Sequence, residues 1–218
     1  MKCCKFNRHT RAAQSGKFAI AISILLLGVV VSGFLLRALM TIPQLPEHAT
    51  VLPTPAPLAN FALANHEDQP FTRDSLRGHW SMIFFGFTNC PDICPLTLHK
   101  LAQARDSIAR SDPDAPLPEI VFISVDPDRD STESLKQYVQ SFGAGVTGVR
   151  GEHDELAKLT KPLGIFFNVD QTDDKNTVVE HSAAVIVVNE NAEFHALFSA
   201  PHQIEAFASD MQLIMASK

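Results

Sequence analysis

Short apolar runs alternate with segments of helical periodicity over most of the chain. The runs 80–87 and 120–125 are almost entirely apolar, which is typical of strands buried on both faces of a sheet. Between them, Leu98, Leu101 and Ile108 recur at spacings of three and seven, as on the apolar face of a helix. The pattern predicts strands at 80–87, 120–125, 183–189 and 193–199, and helices at 95–110, 130–142, 153–163 and 202–215.

The order of these elements predicts one α/β domain over residues 58–218. Strands and helices alternate first, and a hairpin with a turn near residues 189–191 and a last helix follow. This order is typical of a thioredoxin-like sandwich, in which helices flank a central mixed sheet. About 160 residues are enough to form a single hydrophobic core.

An uncharged apolar segment of 19 residues, 18–36, precedes this domain. As a helix it would be about 28 Å long, close to the thickness of a bilayer's hydrocarbon core. Five basic residues lie before it and only Arg37 follows closely, so the positive-inside rule predicts residues 1–17 in the cytoplasm. We therefore expect one transmembrane helix, residues 18–40, in the inner membrane and the large domain in the periplasm. A cleaved secretory signal is the alternative, but its apolar region is normally shorter.

A proline-rich segment, residues 41–57, joins the expected anchor to the domain and contains five prolines. Proline lacks a backbone N–H and cannot lie in a helix interior or a central strand. We therefore expect an extended spacer between membrane and domain. A tethered domain implies a partner that also lies at the membrane.

Charge is unevenly distributed between the two parts of the chain. Residues 1–40 contain six of the 18 Lys and Arg residues and none of the 24 Asp and Glu residues, so the remainder has a formal net charge of −12. An acidic domain disfavours nucleic acid as a partner, because phosphate binding depends on clustered basic side chains.

The candidate chemistry lies in a C-x-x-x-C motif formed by Cys90 and Cys94. It follows the predicted strand 80–87, at the carboxyl end where α/β folds place their sites. Because Pro95 suits the first turn of a helix, we expect Cys94 at the N-cap, where the helix dipole would lower its pKa. Such a pair can exchange disulfides or bind a soft metal. A purely structural disulfide would close too short a loop to stabilise much.

A discriminating metal site needs a third ligand, and most of the nine histidines are poor candidates. His99 lies five residues after Cys94, about 140° around the helix, and should point elsewhere. His195 and His202 are expected to lie in solvent.

His181 is the better candidate for the third ligand. It follows the polar loop 170–176 and opens the predicted strand 183–189, so it can reach the cysteine end of the sheet. A histidine at the start of a strand is also commonly a residue of the protein's rim, and the residues alone leave both interpretations open.

Three segments resemble, in order and spacing, motifs of the SCO/SenC family, which assembles cytochrome c oxidase. They are FFGFTNCPDICP at 84–95, FISVDPDRDS at 122–131 and VVEHSAAVIVVNENAEF at 178–194. The resemblance covers about residues 58–217 and extends to the N-terminal anchor. One departure is Glu180, where the family usually has aspartate. We interpret the acidic part of the second motif as a turn that begins a helix.

The resemblance implies a thioredoxin-like fold and copper, as Cu(I) or Cu(II), bound by Cys90, Cys94 and His181. It also implies a partner, cytochrome c oxidase subunit II, whose binuclear copper site such proteins supply with copper or keep reduced. Other copper chaperones or a thiol reductant would be further partners. The protein would bind and transfer copper rather than catalyse with turnover. A membrane-tethered thiol–disulfide oxidoreductase that uses Cys90 and Cys94 without copper is the alternative, and a peroxidase is a weaker one.

Overall fold

The structure, a computed structural model, describes residues 10–40, 44–169, 179–181 and 183–217. Contacts divide the chain into two units, residues 1–44 and 45–218. The first contains helix α1 (Thr10–Met40), which includes the apolar segment that the sequence predicts as an anchor. Within the part of the chain that the structure describes, no helix is long and apolar enough to cross a membrane.

The second unit is an α/β sandwich built on a mixed sheet. Among the described residues, eight strands form this sheet in the order β1-β10-β9-β4-β5-β6-β2-β3, and β7 and β8 form a separate ribbon. The strands are β1 (Ala49–Pro57), β2 (Ala62–Asn65), β3 (Pro70–Thr72), β4 (Ser81–Gly86), β5 (Glu119–Ser124), β6 (Val146–Arg150), β7 (Phe167–Val169), β8 (Val179–His181), β9 (Val185–Val188) and β10 (Glu193–Phe198). The helices are α2 (Ile93–Ser111), α3 (Thr132–Gln140), α4 (His153–Thr160) and α5 (Ile204–Ala216).

The centre of the sheet confirms the strands predicted from apolar runs. All six residues of β4 are buried, and β4 pairs in parallel with β5 and antiparallel with β9. Strand β5 pairs in parallel with β6. Helix α2 packs against α5, and α3 packs against β6. The central mixed sheet with flanking helices is therefore the thioredoxin-like arrangement that the order of elements predicts.

The second half of the predicted spacer belongs to the sheet. Strand β1 pairs antiparallel with β10, and its register shifts between Val51 and Ala56, around Pro53 and Pro55. Proline is excluded from a central strand but tolerated at an edge, where one row of backbone groups needs no partner. The prolines thus indicate where in the sheet this segment lies, and they do not exclude it from the sheet.

Strand β6 is an element that the apolar pattern does not predict, because glycines interrupt its run. The packing around Gly148 explains why a glycine lies in this strand. A Cβ built there would lie 2.8 Å from Cγ of Leu135 on α3, so the glycine lets the helix pack closely on the sheet.

Candidate metal centre

The cysteine motif spans the junction of β4 and α2, at the carboxyl end of a central strand, as predicted, with Cys90 in the loop and Cys94 in the first turn of α2. Cys90 is 8% exposed and Cys94 is fully buried, and both are thiols. The backbone N–H of Cys94 donates to Sγ of Cys90 over 3.4 Å, and the N–H of Cys90 donates to the Phe87 carbonyl over 3.2 Å. The loop therefore places the Cys90 sulfur beside the first turn of α2, which contains Cys94.

Helix α2 begins two residues earlier than predicted. Asp92 occupies the N-cap position, Ile93 is the first helical residue and Cys94 is the second. Pro95 is then the third residue, still within the first turn, where a missing N–H costs no helical hydrogen bond. Cys94 is consequently part of the helix and faces the core.

Burial raises the pKa of Cys94 well above the ordinary range of a thiol. A hydrogen bond with the Cys90 side chain adds to this increase, and a backbone hydrogen bond with Phe87 opposes it. The prediction that the helix N-terminus lowers the pKa is therefore wrong for Cys94, because desolvation of the thiolate outweighs the favourable dipole. Protein groups alone keep Cys94 a thiol near neutral pH.

Gly86, at the end of β4, makes room for the Cys94 sulfur. A Cβ at this position would lie 2.8 Å from Sγ of Cys94 and 2.7 Å from Cε2 of Phe122. Contacts this short do not occur without displacement of a neighbour. The strand can thus carry no side chain here if the sulfur is to keep its place.

A buried carboxylate, Asp130, lies on the other side of the cysteine loop. It accepts hydrogen bonds from the backbone N–H of Thr88 (3.0 Å), the hydroxyl of Thr88 (2.5 Å) and the hydroxyl of Ser124 (2.6 Å). The predicted helix 130–142 starts at Asp130, but the N-cap of α3 is Ser131, whose hydroxyl accepts from the N–H of Ser134. Sequence analysis therefore missed this contact, although an acidic residue six positions beyond a buried strand end was a signal.

Tyr138 is a second residue near the cysteines that sequence analysis did not single out. Its ring packs against Phe122 and Phe142. Its hydroxyl is buried and has no hydrogen-bond partner among the described residues. Burial, followed by the proximity of Cys94, Cys90 and Asp130, raises the pKa of Tyr138, so the phenol stays protonated.

His181 is the last residue of β8, opposite Phe167 of β7, and does not open a core strand. Its side chain lies outside the described part of the chain, so the sequence prediction of a third ligand remains a prediction. Strand β9 begins at Val185, which pairs with Phe84 near the carboxyl end of β4. The chain that follows His181 thus enters the sheet at the edge where the cysteine loop leaves it.

Other histidines differ in part from expectation. The ring of His99 packs edge-on against Phe142. His202 is only 6% exposed, and its Nε2 donates to the carbonyl of Ala183 over 2.6 Å. His195 is half-buried against Trp80. The prediction that these last two lie in solvent is wrong, because aromatic and backbone partners cover them.

Within the described residues, no three His, Cys, Asp or Glu side chains form a group that could hold a metal. The cysteine pair offers two sulfur ligands, which favour soft ions such as Cu(I). A neutral imidazole would be needed to complete a set that also accepts Cu(II).

A thioredoxin-like sandwich with two adjacent cysteines at a strand–helix junction defines a class of thiol or metal proteins. A model of the SCO1/SenC family matches residues 52–216. The SCO2-like protein RP587 of Rickettsia prowazekii is 34% identical over 157 residues, which cover 69% of this chain and 75% of that protein. The chain belongs to the SCO1/SenC family.

Mitochondrial relatives are longer than the matching region. The mouse protein SCO2 homolog is 32% identical over 154 residues, 70% of this chain but 60% of the relative, so the chain spans about 60% of such a protein. Among solved structures, copper-bound ScoI of Arabidopsis thaliana has a TM-score of 0.70 and 28% identity, and the match covers 75% of this chain and 100% of that one. Copper-bound yeast Sco1 has a TM-score of 0.67, also at 28% identity, over 75% of this chain and 91% of its own.

Proposed function

We propose that this protein binds one copper ion through Cys90, Cys94 and His181 and delivers it to the binuclear copper site of cytochrome c oxidase subunit II. The observation that carries the proposal is the proximity of the two cysteines at the strand–helix junction, where the Cys94 N–H donates to the Cys90 sulfur. The entry of β9 at the same sheet edge supports His181 as the third ligand.

The ligand chemistry fits copper better than zinc. Two thiolates and one imidazole form a soft set of low coordination number, suited to Cu(I) and acceptable to Cu(II). A structural zinc site usually has four protein ligands. Because burial raises the pKa of Cys94, binding of a metal there would be coupled to release of the thiol proton.

The similarity to copper-bound relatives supports the same cargo. Both the Arabidopsis ScoI and the yeast Sco1 structures carry copper, and their matches cover three quarters of this chain. Ile93 and Leu96 flank Cys94 in the sequence, and their apolar side chains are exposed. Such side chains suit a surface that docks transiently on a partner. A partner's thiolates could then replace the copper ligands one at a time.

Anchoring in the inner membrane is part of the proposal. It rests on the uncharged segment 18–36, on the basic residues before it, and on the exposed apolar side chains of α1. In this arrangement residues 1–17 lie in the cytoplasm, residues 18–40 form a single-pass anchor, and the copper domain lies in the periplasm. Because β1 begins at Ala49, the spacer proposed for 41–57 is shortened to the residues before it.

A thiol–disulfide oxidoreductase is the second candidate. The two cysteines are adjacent thiols and could form a disulfide without any further ligand. In that case the protein would reduce the cysteines of the oxidase copper site, and His181 would be dispensable.

Comparison of His181→Ala with Cys90→Ser and Cys94→Ser separates these functions. Under copper limitation, copper delivery predicts that all three variants lose oxidase assembly to a similar extent, and that His181→Ala weakens Cu(II) binding most. His99→Ala is the matched control, because this histidine lies near the cysteines on α2 but faces Phe142. Normal assembly with His181→Ala, together with failure of either cysteine variant, would refute copper delivery and favour thiol exchange.

A further inference from the structure

One buried acidic group outside the proposed ligands is the carboxylate of Asp130. It is fully buried, and it forms no ion pair with a basic side chain of the described chain. Its partners are Thr88 and Ser124, through three hydrogen bonds. A buried carboxylate without a cation is costly even when it is hydrogen-bonded, so a neutral side chain would serve a purely structural turn better.

The helix that follows does not explain this carboxylate. Ser131 caps α3 through its own hydroxyl. The neighbouring buried acid, Asp126, forms an ion pair with Arg129 three residues later and thus stabilises the turn between β5 and α3. Both oxygens of Asp130 instead accept from Thr88, in the segment between β4 and the first cysteine, and one of them also accepts from Ser124.

Thr88 is the residue through which Asp130 can act on the copper site. In the sequence, Thr88 lies midway between Gly86 and Cys90. A Cβ at Gly86 would collide with the sulfur of Cys94. The turn continues with the bond from the Cys90 N–H to the Phe87 carbonyl, and it leads to the contact of the Cys90 sulfur with the Cys94 N–H. Fixing both the N–H and the hydroxyl of Thr88 therefore fixes the turn that presents Cys90.

We propose that Asp130 is a positioning residue for the cysteine pair, which holds Thr88 so that the Cys90 sulfur stays beside Cys94. The inference rests on the proposed function only for its copper readout. Preorganisation of two ligands favours both binding of one ion and closure of a disulfide, because less freedom is lost in either event. The effect of Asp130 should thus appear in both measurements.

Thr88→Val tests the proposal, since valine keeps the shape and the backbone N–H but loses the hydroxyl. The readouts are the Cu(I) dissociation constant, by competition with a chromophoric chelator, and the equilibrium constant of the protein dithiol with oxidised glutathione. That exchange yields one protein disulfide and two reduced glutathiones. We expect Thr88→Val to weaken copper binding and to disfavour the disulfide, each roughly tenfold, as for loss of one hydrogen bond to a charged group.

Three further variants separate positioning from stability. Thr88→Ser restores the hydroxyl and should restore both constants. Asp126→Asn, a matched change of a buried acid in the same turn, should leave both unchanged. Asp130→Ala would leave three donors without their acceptor and thus test folding together with positioning, whereas Asp130→Asn retains an oxygen for Thr88 and should give a smaller effect than Thr88→Val.

The proposal is overturned if Thr88→Val matches the wild type in both constants, or if Asp126→Asn shifts them as much. It is also overturned if Thr88→Val changes only the urea midpoint, which a purely structural bond would do. Absence of copper binding by the wild type would contradict the proposed function instead, and the glutathione equilibrium would still decide the role of Asp130.

Discussion

The two sides of the proposed copper site are built differently. Cys90 and Cys94 lie between a fully buried central strand and a long helix, and they are surrounded by Gly86, Thr88 and Asp130. His181 ends a three-residue strand, and among the residues that the structure describes this strand pairs with the equally short β7. A two-stranded ribbon of this length has little stability of its own. The cysteine side thus belongs to the hydrophobic core, whereas His181 belongs to a short ribbon.

Under the proposed copper delivery, this difference would favour release of the ion. A rigid pair of sulfurs can hold Cu(I) while the imidazole is replaced by a ligand of the partner. The expected order of events is therefore histidine exchange first and thiolate exchange second.

Gly86→Ala should have the largest effect, because it breaks the cysteine side. The new methyl group would collide with Sγ of Cys94 and the ring of Phe122, and overpacking of this kind costs about 1–3 kcal/mol. Urea unfolding would measure the loss, and the sulfur-to-copper charge-transfer band of the Cu(II) form would report the displaced sulfur.

Gly148→Ala provides the matched control for this change. It creates a similar collision, 2.8 Å from Cγ of Leu135, but away from the cysteines. It should lower stability and leave the charge-transfer band unchanged. An equal change of the band in both variants would contradict a specific role of Gly86.

His202→Ala should have the next largest effect, on the histidine side. His202 holds the carbonyl of Ala183, two residues beyond His181, and its own carbonyl accepts from Nζ of Lys100 on α2. Loss of the buried ring removes this connection and should cost about 1–2 kcal/mol. The Cu(II) spectrum should change more than Cu(I) affinity, and the reverse result would show that Ala183 does not affect the imidazole.

The smallest effect concerns pH. Burial lowers the pKa of His202; the hydrogen bond to the Ala183 carbonyl opposes this shift, and the charge of Lys100 adds to it. Burial also lowers the pKa of His195, and the charge of Glu193 opposes that shift. Both folded-state values lie below the unfolded value of 6.5. The unfolded state therefore binds more protons as the pH falls, and the contribution to stability present above pH 6.5 is lost below it.

Urea unfolding at pH 7.5 and pH 5.5 checks the sign. The metal-free domain should be less stable at the lower pH, and His202→Ala should reduce the difference. A larger difference in His202→Ala than in the wild type would contradict the assignment.

The central elements could be predicted from the sequence because their signals are strong and local. The apolar runs at 80–87 and 120–125 match β4 and β5 to within two residues, and the Cys90–Cys94 motif lies at the predicted junction. Element ends are less well determined, as the early start of α2 illustrates, because the first helical turn lacks a repeating signal.

The remaining features depend on contacts distant in sequence. Strand β1 could not be predicted from its own residues, because its prolines argue against a strand and its partner β10 lies about 140 residues later in the chain. The hydrogen bonds of Asp130 to Thr88 span 42 residues and leave no periodic pattern. The raised pKa of Cys94 follows from complete burial, which a motif of two cysteines does not reveal.

The prolines of the outer strands have a consequence for self-association. The sheet ends at β1 on one side and at β3, which starts with Pro70, on the other. A residue without an N–H cannot donate to a strand of another molecule, so neither border is a good template for intermolecular β-pairing. Copies of this domain at high local concentration would thus be protected against joining into continuous sheets.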